Sequence, residues 1–413
     1  MKLWDFLKTR MQTYTNRVAF ANSGFTYSDL IAFGESSKEK KIFICEGNTR
    51  EEMAMEIIKA IATNNVVVPV SKEYGNAIRN AIREQLKDLN ENIEDLAFIM
   101  FTSGTTGLPK GVMLTEDNII SNLSFIEEYF RVENCGTICI ARPLVHISVL
   151  VGELLYSLLN GLTIWFVEES FMPQRLASYL VEKSIDIFCG TPTMFLMLSN
   201  ALKDRSFPKI AVISGEVLDR TTVFNLTIKM PYTRFYHVYG LTEHSPRVSA
   251  LLPEFFVTKA GSVGKIFSGI KSQIVNGELW IKSDSVMKGY LNNAIYPKKN
   301  DDGWLRTGDL AHFDNQGFLY IDGRIDDLII KSGLNVYPYE IEREVLLIQG
   351  VKDCVVYAER KNNITKILLD YIGDIDSLNL RKLLTLRLNP NIVPNKITRV
   401  EEIPRTISGK KKR

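Results

Sequence analysis

The residues with the clearest chemistry form one short segment. Residues 102–111 read TSGTTGLPKG and combine hydroxyl groups, glycines and one lysine. They follow an apolar run at residues 96–101 that is typical of a buried strand. Glycines let a backbone approach a ligand closely, and hydroxyls, backbone N–H groups and a lysine can surround phosphate oxygens. The segment therefore predicts a phosphate-binding loop, although it does not fit the Walker A pattern.

A second polar segment follows another apolar run. Residues 236–243 read YHVYGLTE. An aromatic ring at a strand end, such as Tyr239, can stack on a purine. Thr242 can bond a phosphate, and Glu243 can hold Mg²⁺ beside it. A buried strand followed by a helix cap is the alternative interpretation of this segment.

The elements that must position these residues alternate along the chain. Apolar strands are predicted at residues 185–189, 211–213 and 235–239, and each runs into a polar turn, at residues 190–193, 214–216 and 240–243. Thr49, in a capping box with Glu52, and Thr115 are predicted to begin helices. Strands that alternate with helices predict parallel sheets, and ligands bind at the carboxyl ends of such strands. We therefore expect the turns to converge on one cleft.

Composition limits the classes of function. The 413 residues carry a net charge of +2, which gives no electrostatic reason for a nucleic-acid partner. The five cysteines show no zinc-ligand spacing and are typical of free thiols in a reducing compartment. The N-terminus lacks a signal-peptide core, and the best membrane candidate, residues 147–167, contains Glu153, Asn160 and two glycines. We expect a cytoplasmic protein without a membrane span.

Taken together, the motifs resemble those of the adenylate-forming superfamily, which includes acyl-CoA synthetases, aryl-acid ligases, adenylation domains of peptide synthetases and firefly luciferase. TSGTTGLPKG is similar to its signature loop, YGLTE to its YGxTE motif, RTGD (residues 306–309) to its RTGD motif and PRTISGK (residues 404–410) to its PxTxSGK ending. Residues 323–342 resemble its hinge and the start of its C-terminal domain. The motifs occur in the family's order over residues 97–413, but the chain is shorter than typical members.

The resemblance implies an α/β fold, with a large N-terminal domain of helix-covered β-sheets and a small mobile α+β C-terminal domain. Residues 1–325 would form the AMP-binding core, with a shortened N-terminal subdomain. Residues 326–413 would form the small domain, which rotates about the hinge Asp326. Gly333 corresponds to the glycine beside the thiol tunnel, where the lack of a side chain leaves room.

The resemblance also implies ATP and Mg²⁺ as cofactors. Glu243 would bind Mg²⁺, and Asp309 both ribose hydroxyls, because a carboxylate can accept two hydrogen bonds from a diol. Arg324 would contact ribose or phosphate. Lys410 would bridge the substrate carboxylate and the α-phosphate, where charge builds during attack. The residues assigned to ATP or AMP binding are Thr102, Ser103, Gly104, Thr105, Thr106, Gly107, Lys110, Ser214, Gly215, Glu216, Tyr239, Gly240, Thr242, Asp309 and Arg324.

By the same resemblance, His146 lies in a segment that lines the acyl pocket, and we assign it a catalytic role. Amino-acid-activating domains place an aspartate here, but none occurs between residues 141 and 152, so an acid without an amino group is favoured. Ligases for 2-hydroxylated benzoates carry an asparagine where this chain has Ile147. An aromatic acid without a 2-hydroxyl, such as 3,4-dihydroxybenzoate, or an aliphatic acid fits. The side chains that can hydrogen-bond hydroxyls on a substrate ring, or equally cap helices, are Ser148, Thr191, Thr193, Ser214 and Glu216.

The predicted function is ATP-dependent activation of a carboxylic acid to acyl-AMP with release of pyrophosphate. The acyl group is then transferred to a phosphopantetheine thiol of an aryl carrier protein, in siderophore or other secondary-metabolite biosynthesis. An acyl-CoA synthetase, with CoA as the acceptor, is the alternative. A luciferase-like oxygenase and a non-catalytic nucleotide-binding relative are further alternatives, although the joint presence of Glu243, Asp309, Arg324 and Lys410 argues against the last.

Overall fold

The computed structural model describes residues 1–34, 39–87, 89, 93–103, 109–132, 134–169, 171–202, 206–216, 218–291, 302–331, 334–361 and 364–404. Six predicted site residues lie outside these ranges, namely Gly104, Thr105, Thr106, Gly107, Gly333 and Lys410; the side chain of Ser103 is likewise not described. The chain divides into two compact units. The first comprises Met1–Gln273, Trp280–Arg306 and Asp314–Leu319, and the second comprises Ile274–Leu279, Thr307–Phe313 and the residues from Tyr320 onward.

Helices occur in both units. They are α1 Leu3–Met11, α2 Tyr27–Ile31, α3 Arg50–Ala62, α4 Asn76–Lys87, α5 Glu116–Tyr129, α6 Ile147–Val149, α7 Tyr156–Leu159, α8 Pro173–Glu182, α9 Pro192–Ala201, α10 Arg220–Lys229, α11 Pro338–Leu346 and α12 Ser377–Arg387. A π-helix, Leu150–Leu155, connects α6 to α7. Single 3₁₀ turns lie at Gln12–Tyr14, Thr242–His244, Pro253–Phe255 and Ile325–Asp327. Among the described helices, none is long and apolar enough to cross a membrane.

The strands are mostly short. They are β1 Val18–Phe20, β2 Phe25–Thr26, β3 Ile42–Cys45, β4 Val66–Pro69, β5 Leu96–Ser103, β6 Pro109–Thr115, β7 Thr137–Ile140, β8 Thr163–Phe166, β9 Ile187–Gly190, β10 Ile210–Ile213, β11 Arg234–Gly240, β12 Arg247–Leu251, β13 Lys265–Ile266, β14 Lys271–Val275, β15 Glu278–Lys282, β16 Gly289–Tyr290, β17 Leu305–Phe313, β18 Leu319–Arg324, β19 Ile329–Lys331, β20 Leu334–Val336, β21 Val351–Lys361, β22 Ile364–Gly373 and β23 Lys396–Arg399.

Two sheets of the first unit carry the candidate site. One has the order β13-β12-β11-β10-β9-β7-β8-β1-β2, and its central strands β7, β9, β10 and β11 run parallel. The other has the order β16-β6-β5-β4-β3, in which β3, β4 and β5 are parallel and β6 is antiparallel to β5. A further sheet has the order β14-β15-β17-β18. The parallel strands predicted from the alternating pattern are therefore confirmed, and their carboxyl ends share one sheet edge.

The predicted helix starts are confirmed, with one difference in detail. Thr115 begins α5 in a capping box with Asn118, and the apolar stripe of that helix is buried. Thr49 begins α3 by accepting the backbone N–H of Glu52. The capping box predicted there is only half formed, because the Glu52 carboxylate accepts the backbone N–H of Asn48 at 2.8 Å. The hydrogen bond of the Glu52 side chain is therefore made with the residue before Thr49 and not with Thr49 itself.

The long segment of the second unit forms a small α+β structure. Strands β21 and β22 are antiparallel, and β23 pairs with β22 in parallel. A cluster of buried side chains from α11, α12 and these strands forms its core, with Ile341, Leu369 and Leu384 fully buried. Asp326 lies near the start of this segment, in the 3₁₀ turn after β18.

Candidate active site

The segment predicted to bind phosphate lies between the two paired strands of a β-hairpin. Strands β5 and β6 pair antiparallel, with Thr102 opposite Lys110 and Ser103 opposite Pro109. The apolar run that predicted a strand is confirmed, since residues 96–101 of β5 are buried. The hairpin therefore brings a hydroxyl and an ammonium group, from the two ends of the predicted loop, to facing positions at its neck.

Two of the three predicted polar turns, those after β9 and β10, contact each other. The backbone N–H of Ser214, after β10, donates to the carbonyl of Gly190, at the end of β9, at 3.0 Å. The hydroxyl of Thr193 donates to Oε2 of Glu216 at 2.7 Å, and its backbone N–H donates to the same oxygen at 3.2 Å. Thr191 caps α9 by accepting the N–H of Met194. The sequence left two roles open for Thr191, a bond to the substrate ring or a helix cap, and the structure shows the helix cap.

Glu243 lies in a tightly built turn after β11. At Gly240, which ends that strand, an added Cβ would lie only 2.1 Å from the carbonyl oxygen of Pro246, so a side chain is excluded there. The following 3₁₀ turn, Thr242–His244, presents the Glu243 carboxylate, and the phenolic hydroxyl of Tyr290 donates to its Oε1 at 2.5 Å. The backbone carbonyl of Glu243 accepts the N–H of Met287 at 2.9 Å. Both the backbone and the side chain of Glu243 are therefore held.

Two buried histidines support this turn. A ring nitrogen of His237 bonds the carbonyl of Ser262 at 2.8 Å. His244 bonds the carbonyl of Arg247 through Nδ1 at 2.9 Å and the hydroxyl of Ser283 through Nε2 at 2.7 Å. Burial lowers the pKa of each histidine to about 4. Both rings are therefore neutral near pH 7 and act as structural hydrogen-bonding groups.

The segment assigned to the acid pocket contains a buried ion pair. His146 is half-buried and precedes α6, and Ile147, the first residue of that helix, is buried. Glu153, in the π-helix, is fully buried, and its Oε1 lies 2.6 Å from Nη2 of Arg142. Burial raises the pKa of Glu153, while the guanidinium groups of Arg142 and Arg247 oppose that shift. Arg142 and Arg247 thus supply positive charge close to the Glu153 carboxylate without any contribution from a substrate.

In the second unit, two of the predicted nucleotide-binding residues form one group. Nη1 of Arg324, at the end of β18, lies 2.9 Å from Oδ1 of Asp309 on β17 and donates to the carbonyl of Thr307 at 3.4 Å. Asp326 is exposed and lies 3.7 Å from Nη2 of Arg324. The structure therefore joins Asp309 to Arg324, two residues that the sequence assigned separately.

A profile of the AMP-binding enzyme family matches residues 17–291. The chain belongs to the AMP-binding enzyme family. It is 32% identical over 288 residues to the acyl-CoA ligase sidI of Aspergillus fumigatus, covering 64% of this chain and 48% of that protein. It is 31% identical over 336 residues to the 2-succinylbenzoate–CoA ligase of Bacillus licheniformis, covering 77% of this chain and 69% of that one. The match thus spans about half the length of the fungal relative, and the family resemblance inferred from the motifs is confirmed.

A solved member of this group shares the fold. The chain superposes on the O-succinylbenzoate coenzyme A synthetase of Bacillus subtilis, in complex with ATP and magnesium ion, with a TM-score of 0.84 and 24% identity. The superposition covers 98% of this chain and 97% of that one. The fold class expected from the sequence, an α/β architecture with large N-terminal and small C-terminal parts, is confirmed by this likeness.

The donor set of this AMP-binding enzyme fits a magnesium ion that arrives with a nucleotide. Within the described ranges, no three His, Cys, Asp or Glu side chains are grouped to hold a metal by themselves. Mg²⁺ at phosphate sites typically takes one or two carboxylates and completes its shell with phosphate oxygens and water. A single carboxylate such as Glu243 suits that arrangement, in which ATP supplies further oxygens.

Three residues near the predicted site were missed from the sequence. Tyr290 contacts Glu243, Arg142 pairs with Glu153, and Arg247 is buried nearby. Tyr290 and Glu243 are 47 residues apart, and no local pattern connects them. The one signal that could have found Arg142 is a charged residue beside an otherwise apolar stretch.

Proposed function

We propose that this chain is an AMP-forming acid–thiol ligase. A carboxylate oxygen of the acid attacks the α-phosphorus of ATP, which gives acyl-AMP and pyrophosphate. A thiol then attacks the acyl carbon, and AMP leaves. The observation that carries this proposal is the contact of Tyr290, on the strand paired with the phosphate hairpin, with the carboxylate of Glu243. This contact supports the proposal because the residues proposed to bind phosphate and the carboxylate proposed to bind magnesium lie in the same unit.

The proposed roles follow the chemistry of each side chain. Phosphate oxygens bind at the hairpin, to Thr102, Ser103, Thr106 and Lys110, which orients the β- and γ-phosphates to leave together. Glu243 would hold a magnesium ion, which would supply positive charge to balance the leaving pyrophosphate. Asp309 and Arg324 bind the ribose, and Lys410 stabilises charge at the α-phosphate. Residues 326–413 form the small domain, which turns about Asp326 between the two half-reactions.

The acid that we propose is aromatic and lacks both an amino group and a 2-hydroxyl, as 3,4-dihydroxybenzoate does. The state of Glu153 supports the first restriction. This acidic residue is paired at 2.6 Å with Arg142 and lies near Arg247, so two cations face one carboxylate. A substrate ammonium group brought close to this cluster would meet net repulsion. The buried Ile147 offers no hydrogen bond to a 2-hydroxyl.

The acceptor that we propose is a phosphopantetheine thiol. The names of the fungal and bacterial relatives, acyl-CoA ligase and 2-succinylbenzoate–CoA ligase, support CoA as its carrier. An aryl carrier protein of a siderophore pathway is the second candidate, supported by the resemblance of the motifs to those of a superfamily that includes aryl-acid ligases. The five free cysteines support a reducing compartment such as the cytoplasm. Thioester formation measured with CoA and with a phosphopantetheinylated carrier protein separates the two acceptors.

Acid-dependent exchange of labelled pyrophosphate into ATP tests the first half-reaction. The panel contains benzoate, 3,4-dihydroxybenzoate, salicylate, hexanoate and the aromatic amino acids. We expect exchange with an aromatic acid that lacks a 2-hydroxyl, and none with the amino acids. Exchange with amino acids alone would overturn the acid assignment. ATP binding without exchange for any acid would instead support a non-catalytic relative.

A further inference from the structure

The side chain of Tyr290 contacts the carboxylate of Glu243. The ring is almost completely buried, with 2% of its surface exposed, and its hydroxyl donates to Oε1 of Glu243 at 2.5 Å. A hydroxyl that donates to a carboxylate oxygen restricts the rotation of that carboxylate. The contact therefore helps to fix the orientation of the Glu243 side chain.

The backbone of Tyr290 is held by the phosphate hairpin. Strand β16 pairs antiparallel with β6, with Tyr290 opposite Val112, and the N–H of Leu291 donates to the carbonyl of Gly111 at 2.9 Å. Gly111 directly follows Lys110, and a Cβ there would lie 2.4 Å from Cδ1 of Leu291. The absence of a side chain at this position therefore lets β16 pack closely against the hairpin strand.

The same segment is also held at Glu243. The N–H of Met287 donates to the Glu243 carbonyl at 2.9 Å, three residues before the phenol reaches the carboxylate. Residues 287–291 thus connect the five-stranded sheet, which carries the hairpin, to the turn after β11 in the nine-stranded sheet. Tyr290 therefore lies in a segment that contacts both the hairpin strand β6 and Glu243.

We propose that Tyr290 is a positioning residue, which holds the Glu243 carboxylate in place for a metal ion shared with the phosphates of the bound nucleotide. This inference rests on the proposed function and deepens its account of the metal site. Loss of the phenol removes one hydrogen bond that orders the carboxylate, so that part of the free energy of metal binding must be used to order it. Binding of the acid and of metal-free ATP does not depend on this contact.

The test compares Tyr290→Phe with the matched variant Tyr156→Phe. Tyr156 is also buried in the first unit, and its hydroxyl donates to the carbonyl of Phe130 at 2.6 Å, away from Glu243. The primary readout is Mn²⁺ binding in the presence of a non-hydrolysable ATP analogue, followed by the electron paramagnetic resonance signal of free Mn²⁺. We expect Tyr290→Phe to weaken Mn²⁺ binding about tenfold or more, as loss of a residue that orients a metal ligand typically does. Tyr156→Phe should bind Mn²⁺ like the wild type.

Two further measurements keep the outcome unambiguous. The Mg²⁺ concentration that half-saturates pyrophosphate exchange should rise in Tyr290→Phe, while the KM of the acid at high Mg²⁺ stays the same. In a Glu243→Gln background, Tyr290→Phe should add little, because the two residues act through one carboxylate. Equal Mn²⁺ affinity and equal Mg²⁺ requirement in Tyr290→Phe and wild type would overturn this inference but leave the proposed function intact. Absence of exchange in the wild type with every acid would instead overturn the proposed function.

Discussion

Asp309 and Arg324 form an ion pair, with Oδ1 of the aspartate 2.9 Å from Nη1 of the arginine. The aspartate is nearly buried, with 6% of its surface exposed, whereas the arginine is partly exposed. The pair joins β17 to β18, and the arginine also bonds the carbonyl of Thr307. If the pair binds ribose, the guanidinium orients the carboxylate that accepts the ribose hydroxyls. The two residues should then act as one unit.

Asp309→Asn should remove the preference of the enzyme for ATP over 2′-deoxy-ATP. A carboxylate accepts hydrogen bonds from both ribose hydroxyls, and a hydrogen bond to a charged group contributes about 1.5–3 kcal/mol. In the wild type we therefore expect kcat/KM for 2′-deoxy-ATP to be at least about tenfold lower than for ATP. Asp314→Asn, which disrupts the Lys259–Asp314 ion pair instead, serves as the control and should keep the preference. If Asp309→Asn still prefers ATP over 2′-deoxy-ATP as strongly as the wild type does, Asp309 does not bind the ribose.

Arg142→Met should destabilise the protein strongly. It leaves the fully buried Glu153 without its 2.6 Å partner, and loss of one partner of a buried pair costs about 3–5 kcal/mol. The double variant Arg142→Met/Glu153→Gln should recover much of the loss, because the fully buried Glu153 carboxylate, which would lack its closest partner, is then replaced by a neutral group. Urea unfolding at neutral pH measures both. Arg175→Met, which breaks the exposed pair with Glu169, should change stability little. An equal loss in the single and double variants would contradict this account.

Stability should decrease on acidification because of His237 and His244. Burial lowers the pKa of both rings from 6.5 to about 4. Between pH 6.5 and about pH 4, the two histidines bind protons in the unfolded chain but not in the folded protein. The free energy of unfolding therefore decreases as the pH falls through this range. Above pH 6.5 both histidines are neutral in both states and make no pH-dependent contribution. The largest contribution is about 3 kcal/mol for each histidine. The slope of unfolding free energy between these pH values should become smaller in His237→Gln, whereas an unchanged slope would contradict the assignment.

Lys410→Ala should stop acyl-AMP formation while ATP still binds. Lys410 lies outside the described residues, so its role comes from the similarity of residues 404–410 to the family ending. Loss of a group that stabilises transition-state charge typically lowers kcat by about 10²–10³-fold. Lys411→Ala, with the neighbouring lysine removed, is the matched control and should exchange pyrophosphate like the wild type. Normal exchange in Lys410→Ala would show that another group serves the α-phosphate.

Local sequence patterns predicted much of the fold. The Thr115 cap and the strands of the parallel sheet follow from spacing within a few residues, and the structure contains them. Contacts between distant segments were not predictable in this way. Tyr290 meets Glu243 only because β16 pairs with β6, and Arg142 meets Glu153 only after a loop and a π-helix bring them together. Periodicity and capping are local properties, whereas these pairs depend on tertiary packing.

The fate of the carboxylate oxygen tests the central claim most directly. The acid that supports pyrophosphate exchange is labelled with ¹⁸O in its carboxylate and incubated with ATP, Mg²⁺ and the accepting thiol. Attack of the carboxylate on the α-phosphorus predicts AMP that carries one ¹⁸O, together with unlabelled pyrophosphate. Release of ADP with the label in inorganic phosphate would mean attack at the γ-phosphorus, and it would contradict assignment of the hairpin and Glu243 to an AMP-forming site.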